Sequence, residues 1–352
     1  MQLTSGRRQV LDPTAAQDRV IQQGWGDGLP VIPPTPERVS RFIEACGREP
    51  DNVVGSIPEQ GRDLTVEKIA VNAVMAGCRP EYMSILLAAV RAMSTEQFNL
   101  HSTTVSGATA PLLIISGPVV SQHSVNSSFS VFGPGHVANA TIGRAVRLVL
   151  QNLCGGTPGV IDKATMGHPG KFSYCIGEDV SNNPWGPLHA DRGLSPGASA
   201  VTVFAGEAPI FARNDWSHEP EPVLATIADA MLVSHYTGGA FVVVIGPLHA
   251  AVLARAGLDK PAVRQMLFER AHRSVADLKR AGRLPGVITE QDTRIMRAAA
   301  PGPDDILVTV AGGHLYGYSA IIPPWIGGHE SQPVTVPVAA DEAACAINVE
   351  AR

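Results

Sequence analysis

The chain has 352 residues, of which 45% are apolar and 17% charged, and its formal net charge at pH 7 is −5. This apolar fraction is enough for a sizeable core and excludes a disordered chain. The acidic balance, with no basic stretch that carries interleaved aromatic residues, argues against nucleic-acid binding. No apolar run approaches the roughly 20 residues of a membrane-spanning helix, and the first residues include no secretory-type apolar segment. We therefore expect a cytoplasmic protein without a membrane partner.

The metal-binding residue types show none of the usual ligand spacings. The sequence has no Cys-x-x-Cys pair, no His-x-x-x-His or His-Glu-x-x-His pair and no His-x-His pair. We therefore predict no metal site built from neighbouring residues and expect the cysteines to be reduced thiols, whereas a site assembled from distant loops, or an organic cofactor, stays open. The aromatic content of 5% does not indicate a flavin or haem pocket. The five cysteines are scattered along the chain: Cys46, Cys78, Cys154, Cys175 and Cys345.

Residues 1–100 are predicted to form an N-terminal arm and a helical region. Thr35 followed by Pro36 is typical of a capped helix start, and Gly47 is typical of a helix end. Residues 65–77 repeat this pattern, and residues 80–93 are apolar nearly all round, which predicts a buried helix. Residues 24–34 contain three glycines, three prolines and Trp25, so we expect an ordered loop there.

The remainder of the chain alternates short apolar runs with helical segments. Each run is rich in Val and Ile and is followed by glycine, which favours strands that are buried on both faces of a parallel sheet. Asp259 is a plausible cap for the last of the four main helical segments, which we place at 138–153, 222–233, 248–256 and 261–271. The four predicted strands are Leu112–Ser116, Ala200–Ala205, Phe241–Ile245 and Ile306–Ala311.

The strand endings suggest an internal repeat. The first and third strands are followed by Gly-Pro, whereas the second and fourth contain Val-Thr-Val and end in Ala-Gly. We therefore predict an α/β fold of two pseudo-repeated α/β halves with mostly parallel buried strands, spanning 101–220 and 221–335. The helical region 1–100 precedes them, and a tail at 336–352 follows. Ligands of open α/β sheets lie beyond the carboxyl ends of the strands, so we expect a cleft lined by these ends.

The polar stretch 101–144 is the predicted binding segment for an anionic substrate. Its glycines lead directly into a predicted helix, and backbone N–H groups at a helix start can hold a carboxylate or phosphate. A structural turn is the alternative. A dinucleotide site is rejected, because proline lies within the turn and no good buried strand precedes it. The candidate substrate-binding residues are His101, Ser102, Gly133, Gly135, His136, Asn139, Thr141 and Arg144.

The segment 165–193 concentrates groups that transfer protons or attack as nucleophiles. A cysteine needs a neighbouring cation or base to become a thiolate, and a histidine or lysine in the same segment would provide one. The alternation around Cys175 also fits a plain strand with an inert buried thiol. The candidate catalytic residues are His168, Lys171, Cys175, Glu178 and His189.

Several stretches together resemble a group of bacterial proteins associated with UGSC-type (seleno)proteins. The matching stretches are 26–31, 76–82, 132–135, 138–145, 167–171 and 246–250, which span most of the chain. The resemblance implies thiol or selenol redox chemistry, because group members carry or accompany a selenocysteine- or cysteine-Gly-Ser-Cys motif. This sequence contains no such motif. The resemblance therefore implies either a separate thiol redox protein as partner or redox-neutral chemistry in this chain.

Together these features predict an enzyme that binds a small anionic substrate and performs redox-neutral acid–base chemistry of the lyase or hydratase type, which needs only positioned proton donors and acceptors. One alternative is a thiol-dependent oxidoreductase that works with a separate redox protein. Another is a non-catalytic ligand-binding or assembly subunit. The proline-rich arms are compatible with a homo-oligomer.

Overall fold

The computed structural model describes residues 2–10, 12–105 and 109–338. No helix in these ranges is both long and apolar enough to span a membrane. The helices are α1 (Pro13–Gln22), α2 (Pro36–Cys46), α3 (Val66–Ala76), α4 (Met83–Met93), α5 (Leu100–Val105), α6 (Val119–Gln122), α7 (Val137–Asn152), α8 (Leu188–Asp191), α9 (Pro220–Met231), α10 (Pro247–Arg255), α11 (Lys260–Arg270) and α12 (Val275–Arg280). The strands are β1 (Val53–Ile57), β2 (Arg62–Thr65), β3 (Ala110–Ser116), β4 (Cys175–Gly177), β5 (Ala200–Gly206), β6 (Ile210–Arg213), β7 (Phe241–Ile245), β8 (His272–Ser274), β9 (Met296–Ala298), β10 (Ile306–Val310), β11 (Tyr318–Ile322) and β12 (Val334–Pro337).

The predicted helix boundaries are confirmed where a local capping signal defines them. The Thr35 side chain accepts a hydrogen bond from the Arg38 backbone N–H at the start of α2, and the helix ends at Gly47 with φ 64°. Asp259 caps α11 in the same way, through the backbone N–H of Ala262. These caps satisfy backbone groups that a helix end otherwise leaves without partners, so they act within a few residues of chain.

The large strands form two four-stranded sheets of mixed direction. Sheet 1 has the order β4-β3-β5-β12, and sheet 2 has the order β10-β7-β11-β6. In each sheet the first pairing is parallel and the other two are antiparallel. Strand β6 follows β5 along the chain but joins sheet 2, and β12 returns from the end of the described chain to the edge of sheet 1.

The prediction of two pseudo-repeated halves with mostly parallel strands is therefore wrong. Strands β5 and β10 share the Val-Thr-Val sequence, yet β5 runs antiparallel to β3 whereas β10 runs parallel to β7. Their sequences are alike because all residues of both strands are buried. A strand with both faces covered is apolar throughout in either direction, so its composition does not define the direction of its partner.

Helices cover the outer faces of the two sheets, and the inner faces pack on each other. Along β3, Leu112 and Ile114 belong to the core between the sheets, together with Val242 and Val244 of β7. The intervening β3 residues, including Leu113, point to the other face and pack against α2, α3, α4 and α7. Helices α9 to α12 cover sheet 2 correspondingly. The result is a four-layer arrangement of helices, sheet, sheet and helices.

The two ends of the strands form two rims of this arrangement, which we call the carboxyl rim and the amino rim. The carboxyl rim contains the ends of β3, β4, β7 and β10, and the backbone N–H of Asp179 bridges the sheets there by donating to Val310 O at 2.8 Å. The amino rim contains the start of β3 and the end of β5, where Ala110 pairs with Gly206. The end of β5 thus lies at the rim opposite the ends of the other predicted strands.

Candidate functional site

The structure divides the predicted site residues between the two rims. His168, Lys171 and the helix α5 that carries His101 and Ser102 lie at the amino rim. Cys175 lies within β4, between the rims. At or near the carboxyl rim lie Glu178, His189 and the start of α7 with its preceding loop, which contain Gly133, Gly135, His136, Asn139 and Thr141.

Glu178 at the carboxyl rim is fully buried and surrounded by hydrogen-bond donors. Its two carboxylate oxygens accept from the backbone N–H of Leu188 at 3.0 and 2.9 Å. Oε1 also accepts from Thr309 Oγ1 at 2.9 Å and from Asn183 Nδ2 at 3.1 Å. Burial raises the pKa of this carboxyl group above its ordinary value. The carboxylate therefore joins β4 to α8 and β10 and faces the protein interior rather than a cleft.

His189 is also buried, and both of its ring nitrogens have partners. Nδ1 lies 2.8 Å from Ser116 Oγ, and Nε2 lies 3.2 Å from the carbonyl oxygen of Pro196. Because a carbonyl only accepts, these partners assign the proton to Nε2 and leave Nδ1 to accept from the serine hydroxyl. Burial lowers the pKa of this imidazole. His249 is held in the same way by Ser319 and the carbonyl of Asn214.

The groups around the start of α7 serve mainly to fix neighbouring loops. Arg144 forms two hydrogen bonds with the Asp27 carboxylate, at 2.7 and 2.8 Å, and donates to the carbonyls of Leu29 and Pro30. Asn139 accepts from the backbone N–H of Asn126 and donates to two carbonyls. The predicted anion-binding arginine thus has its donors engaged within the protein.

The described cysteines are free thiols without thiolate-stabilising surroundings. Cys175 is 6% exposed and packs in the core beneath the helices that cover sheet 1. Burial raises the pKa of its thiol well above the ordinary value. Burial likewise raises the pKa of Cys78 and of Cys154 to about 12. Cys345 lies outside the described residues.

At the amino rim, one carboxylate serves two cations. Lys171 Nζ lies 2.7 Å from Asp162 Oδ2, and Arg147 NH1 lies 3.5 Å from the same oxygen. The side chains of all three residues are largely buried. Within the described part of the chain, the Arg147 guanidinium makes this ion pair but no hydrogen bond. Burial lowers the pKa of Arg147, against the opposing effect of Asp162. The triad leaves one positive charge in excess.

A small cavity of about 20 Å³ adjoins this triad. Arg147, Asp162 and Lys171 line it, together with Thr103 and Thr109. The Thr109 hydroxyl is buried and has no hydrogen-bond partner among the described residues. A buried polar group without a partner costs free energy, so a hydrogen-bond acceptor that enters the cavity would satisfy this hydroxyl. The cavity has room for about one oxygen-sized group.

A carboxylate–imidazole pair lies on the other side of the β3 start. Glu207 directly follows Gly206, the partner of Ala110 in the sheet, and its Oε1 lies 2.9 Å from His235 Nε2. The hydrogen bond and charge of Glu207 raise the pKa of His235 above its ordinary value. The His235 side chain remains 43% exposed. This pair was not predicted, because two residues that lie 28 positions apart form no recognisable motif in the sequence.

Tyr174 connects this pair to His168. Its hydroxyl donates to the Glu207 carbonyl at 3.0 Å, and its ring contacts the His168 ring edge-on with centroids 5.5 Å apart. Nδ1 of His168 accepts from the Gly170 backbone N–H at 3.1 Å. His168 and Lys171, both predicted from the sequence, are thus brought to the same rim as Glu207.

The loop that carries His235 is conformationally strained. Tyr236 has φ 60°, and Gly238 and Gly239 have φ 87° and 101°. A bulky residue rarely adopts this left-handed conformation, and such strain is concentrated at functional sites. The hydroxyl groups of Ser234, Tyr236 and Thr237 are buried without hydrogen-bond partners in the described part of the structure. Both observations favour a functional role for this loop.

Among residues 2–10, 12–105 and 109–338, no group of three or more His, Cys, Asp or Glu side chains is arranged to hold a metal ion. Comparison of the sequence with models of protein families gave no match, and comparison with curated proteins also gave none.

We refer to the set Thr109, Arg147, Asp162, Lys171, His168, Glu207 and His235 as the amino-rim site. It has two parts on either side of the β3 start, namely cations that can hold an oxyanion and an imidazole that a carboxylate orients. These are the components that acid–base chemistry on a small acid requires.

Proposed function

We propose that this chain is a cytoplasmic enzyme that performs redox-neutral acid–base chemistry, of the lyase or hydratase type, on a small carboxylate at the amino-rim site. The main support is the Arg147–Asp162–Lys171 triad, whose excess positive charge borders the unpartnered Thr109 hydroxyl. The free thiols of the described cysteines are in keeping with a reducing compartment.

Arg147 and Lys171 are the proposed ligands of the substrate carboxylate. A guanidinium presents several N–H donors in one plane, and those of Arg147 make no hydrogen bond within the described chain. Asp162 holds both cations in place, and the Thr109 hydroxyl donates to the oxygen that enters the small cavity. Because that cavity admits about one oxygen-sized group, the rest of the substrate lies outside it, toward the rim.

His235 is the proposed general acid and base. Its Nε2–H donates to Glu207, which orients the ring, stabilises the imidazolium form and leaves Nδ1 for the substrate. In a dehydration, Nδ1 would take a proton from the carbon next to the carboxylate. The protonated ring would then protonate the departing hydroxyl group. His168 lies beyond Tyr174 and would position the substrate.

The thiol-dependent alternative gains no support from the geometry. A nucleophilic cysteine requires a depressed pKa and access to substrate, whereas burial raises the pKa of Cys175, Cys78 and Cys154. Electron transfer from a separate redox protein would need an acceptor group in this chain, and these thiols are poorly placed for that role.

The test is proton NMR in D₂O with fumarate, maleate and crotonate as probes. We expect hydration of one of these acids, with deuterium entering the carbon next to a carboxylate. His235→Asn should abolish turnover while retaining binding of the acid, and Lys171→Met should weaken binding. Lys163→Met, which removes an exposed lysine that contacts only a backbone carbonyl, is the matched control. Binding without turnover in the wild-type protein would support the binding-subunit alternative, and undiminished turnover in His235→Asn would refute the proposed acid–base role.

A further inference from the structure

A large cavity lies at the N-terminus, apart from the amino-rim site. It has a volume of about 730 Å³ and is lined by the arm 3–10, α1, the segment 31–36 and α3. We refer to it as the arm cavity. Among the described residues, none lines both the arm cavity and the small cavity at the amino rim. Its volume lies within the range of about 300–1,000 Å³ that small-molecule sites occupy.

The walls of the arm cavity are predominantly apolar. Aliphatic side chains come from the arm, from α1 and from α3, and the Trp25 indole, which is partly exposed, adds an aromatic face. Binding of a hydrocarbon chain to such a surface is favourable, because it removes apolar area from water. The apolar lining residues are Leu3, Val10, Ala16, Val20, Trp25, Val31, Val39, Val71, Met75 and Leu153.

The charged groups of the arm cavity are almost all cationic. Of the described residues that line it, Arg7, Arg8, Arg19 and Lys68 are cationic and Glu67 alone is acidic. Within the described chain, the side chains of the three arginines form no ion pair or hydrogen bond. Lys68 is engaged by the Asp63 carbonyl. The cavity therefore combines apolar walls with guanidinium groups that form no close ion pair within the described chain, although the charge of Arg7 helps to lower the pKa of Glu37.

Glu67 forms no ion pair with these arginines in the described structure, and its carboxylate holds the arm. Its carboxylate accepts from the backbone N–H and the hydroxyl of Thr4 and from the backbone N–H of Ser5, at 2.8, 2.9 and 3.0 Å. In the described structure, residues 6–10 of the arm form no backbone–backbone hydrogen bonds. The arm is thus attached near its start and crosses the cavity as a strap, which can open without breaking regular secondary structure.

We propose that the arm cavity binds a single-chain anionic amphiphile, namely a medium-chain carboxylate of about eight to ten carbons. The alkyl chain lies on the apolar walls, and the carboxylate pairs with the arginines at the arm. Because each buried methylene contributes about 0.8 kcal/mol, the affinity should rise about fourfold per methylene. This site uses none of the residues of the proposed active site, so either proposal can fail independently.

The experiment is isothermal titration calorimetry of the full chain with octanoate, decanoate and decyltrimethylammonium, each below its micellar concentration. We expect decanoate to bind about 15-fold more tightly than octanoate, as two more buried methylenes require. The cationic probe has the same chain length and should bind at least tenfold more weakly than decanoate.

Two variants test the residues themselves. Arg19→Gln should weaken decanoate binding several-fold, whereas Arg41→Gln, which removes an exposed arginine of α2 outside the cavity lining, should not change it. Glu67→Gln should weaken binding by loosening the arm. Equal affinity for the anionic and cationic probes, an unchanged affinity in Arg19→Gln, or binding to phosphatidylglycerol vesicles without binding to monomeric decanoate would overturn the proposal. A dimer whose cavity is filled by a partner's arm, and which excludes decanoate, would overturn it as well.

Discussion

Replacement of Arg144 by alanine tests whether this predicted substrate ligand is instead a structural residue. The Arg144 and Asp27 side chains are 14% and 4% exposed and form two short hydrogen bonds. Removal of Arg144 leaves the Asp27 carboxylate buried without its cation and frees the carbonyls of Leu29 and Pro30. Loss of one partner from a buried ion pair costs about 3–5 kcal/mol. The free energy of unfolding should fall by that amount.

The assay is denaturant and thermal unfolding of the wild-type protein, Arg144→Ala, Asp27→Ala and the double variant. For a chain of this length, the loss corresponds to a fall in Tm of about 4–7 °C. The free energy of unfolding should fall less in the double variant than the sum of the falls in the two single variants, because the two residues form one interaction. Although burial opposes it, Arg144 lowers the pKa of Asp27. The wild-type protein should therefore have a higher free energy of unfolding than Arg144→Ala above the ordinary carboxyl pKa. This difference should disappear as pH falls through the lowered pKa of Asp27.

A different result would restore the role that the sequence predicted. If Arg144→Ala unfolds within about 0.5 kcal/mol of the wild type but loses affinity for small carboxylates, the Asp27 contact is not structural and Arg144 is a substrate ligand. Arg147→Gln provides the comparison, because we expect it to lose carboxylate affinity with a smaller change in stability.

Three further predictions concern single side chains. Glu207→Gln should lower the pKa of His235 toward its ordinary value of 6.5, because the Glu207 hydrogen bond is the largest cause of the raised pKa. NMR titration of the imidazole measures this pKa. An unchanged titration midpoint would contradict the pairing of Glu207 with His235. Cys175→Ala should retain activity, and thiol reagents should leave the native Cys175 unmodified in mass spectra, whereas rapid labelling would reopen the thiol mechanism. Glu178→Gln should lower the free energy of unfolding by about 1–3 kcal/mol, because an amide N–H₂ cannot accept from the donors around it. Burial raises the pKa of Glu178, so its contribution to the free energy of unfolding should decline as pH rises from the ordinary carboxyl pKa through the raised pKa. Unfolding curves of Glu178→Gln should not show this decline.

Local features of the fold were predictable, whereas strand direction was not. The Thr35 and Asp259 caps act on backbone groups three residues away, so the sequence shows the helix starts directly. Four buried strands were also identified, because apolar runs of five to seven residues with flanking glycines are distinctive. The short strands β6 and β12, which lie at sheet edges and are only partly buried, were missed, and so was β11, which is largely buried inside sheet 2.

The candidate site was predictable only in part, for a related reason. Lys171 and His168 stood out because a short segment contained many reactive side chains. Their significance depends on partners that other parts of the chain supply. Asp162 lies nine residues before Lys171 and is reached through a turn, and Glu207 meets His235 across two different sheets. No periodicity or spacing in the sequence encodes such contacts.

The antiparallel pairing of β3 and β5 explains why the amino-rim site exists. Glu207 follows the last residue of β5, and β3 begins directly opposite, next to Lys171 and its cavity. In the parallel sheet that the sequence predicted, the end of β5 would lie at the carboxyl rim beside Glu178. The Glu207–His235 pair would then be about a strand length away from the cations at Arg147, roughly 20 Å for six or seven residues. The feature of the fold that the sequence predicted wrongly is thus the one that brings a carboxylate-oriented imidazole to the same rim as the Arg147–Asp162–Lys171 triad.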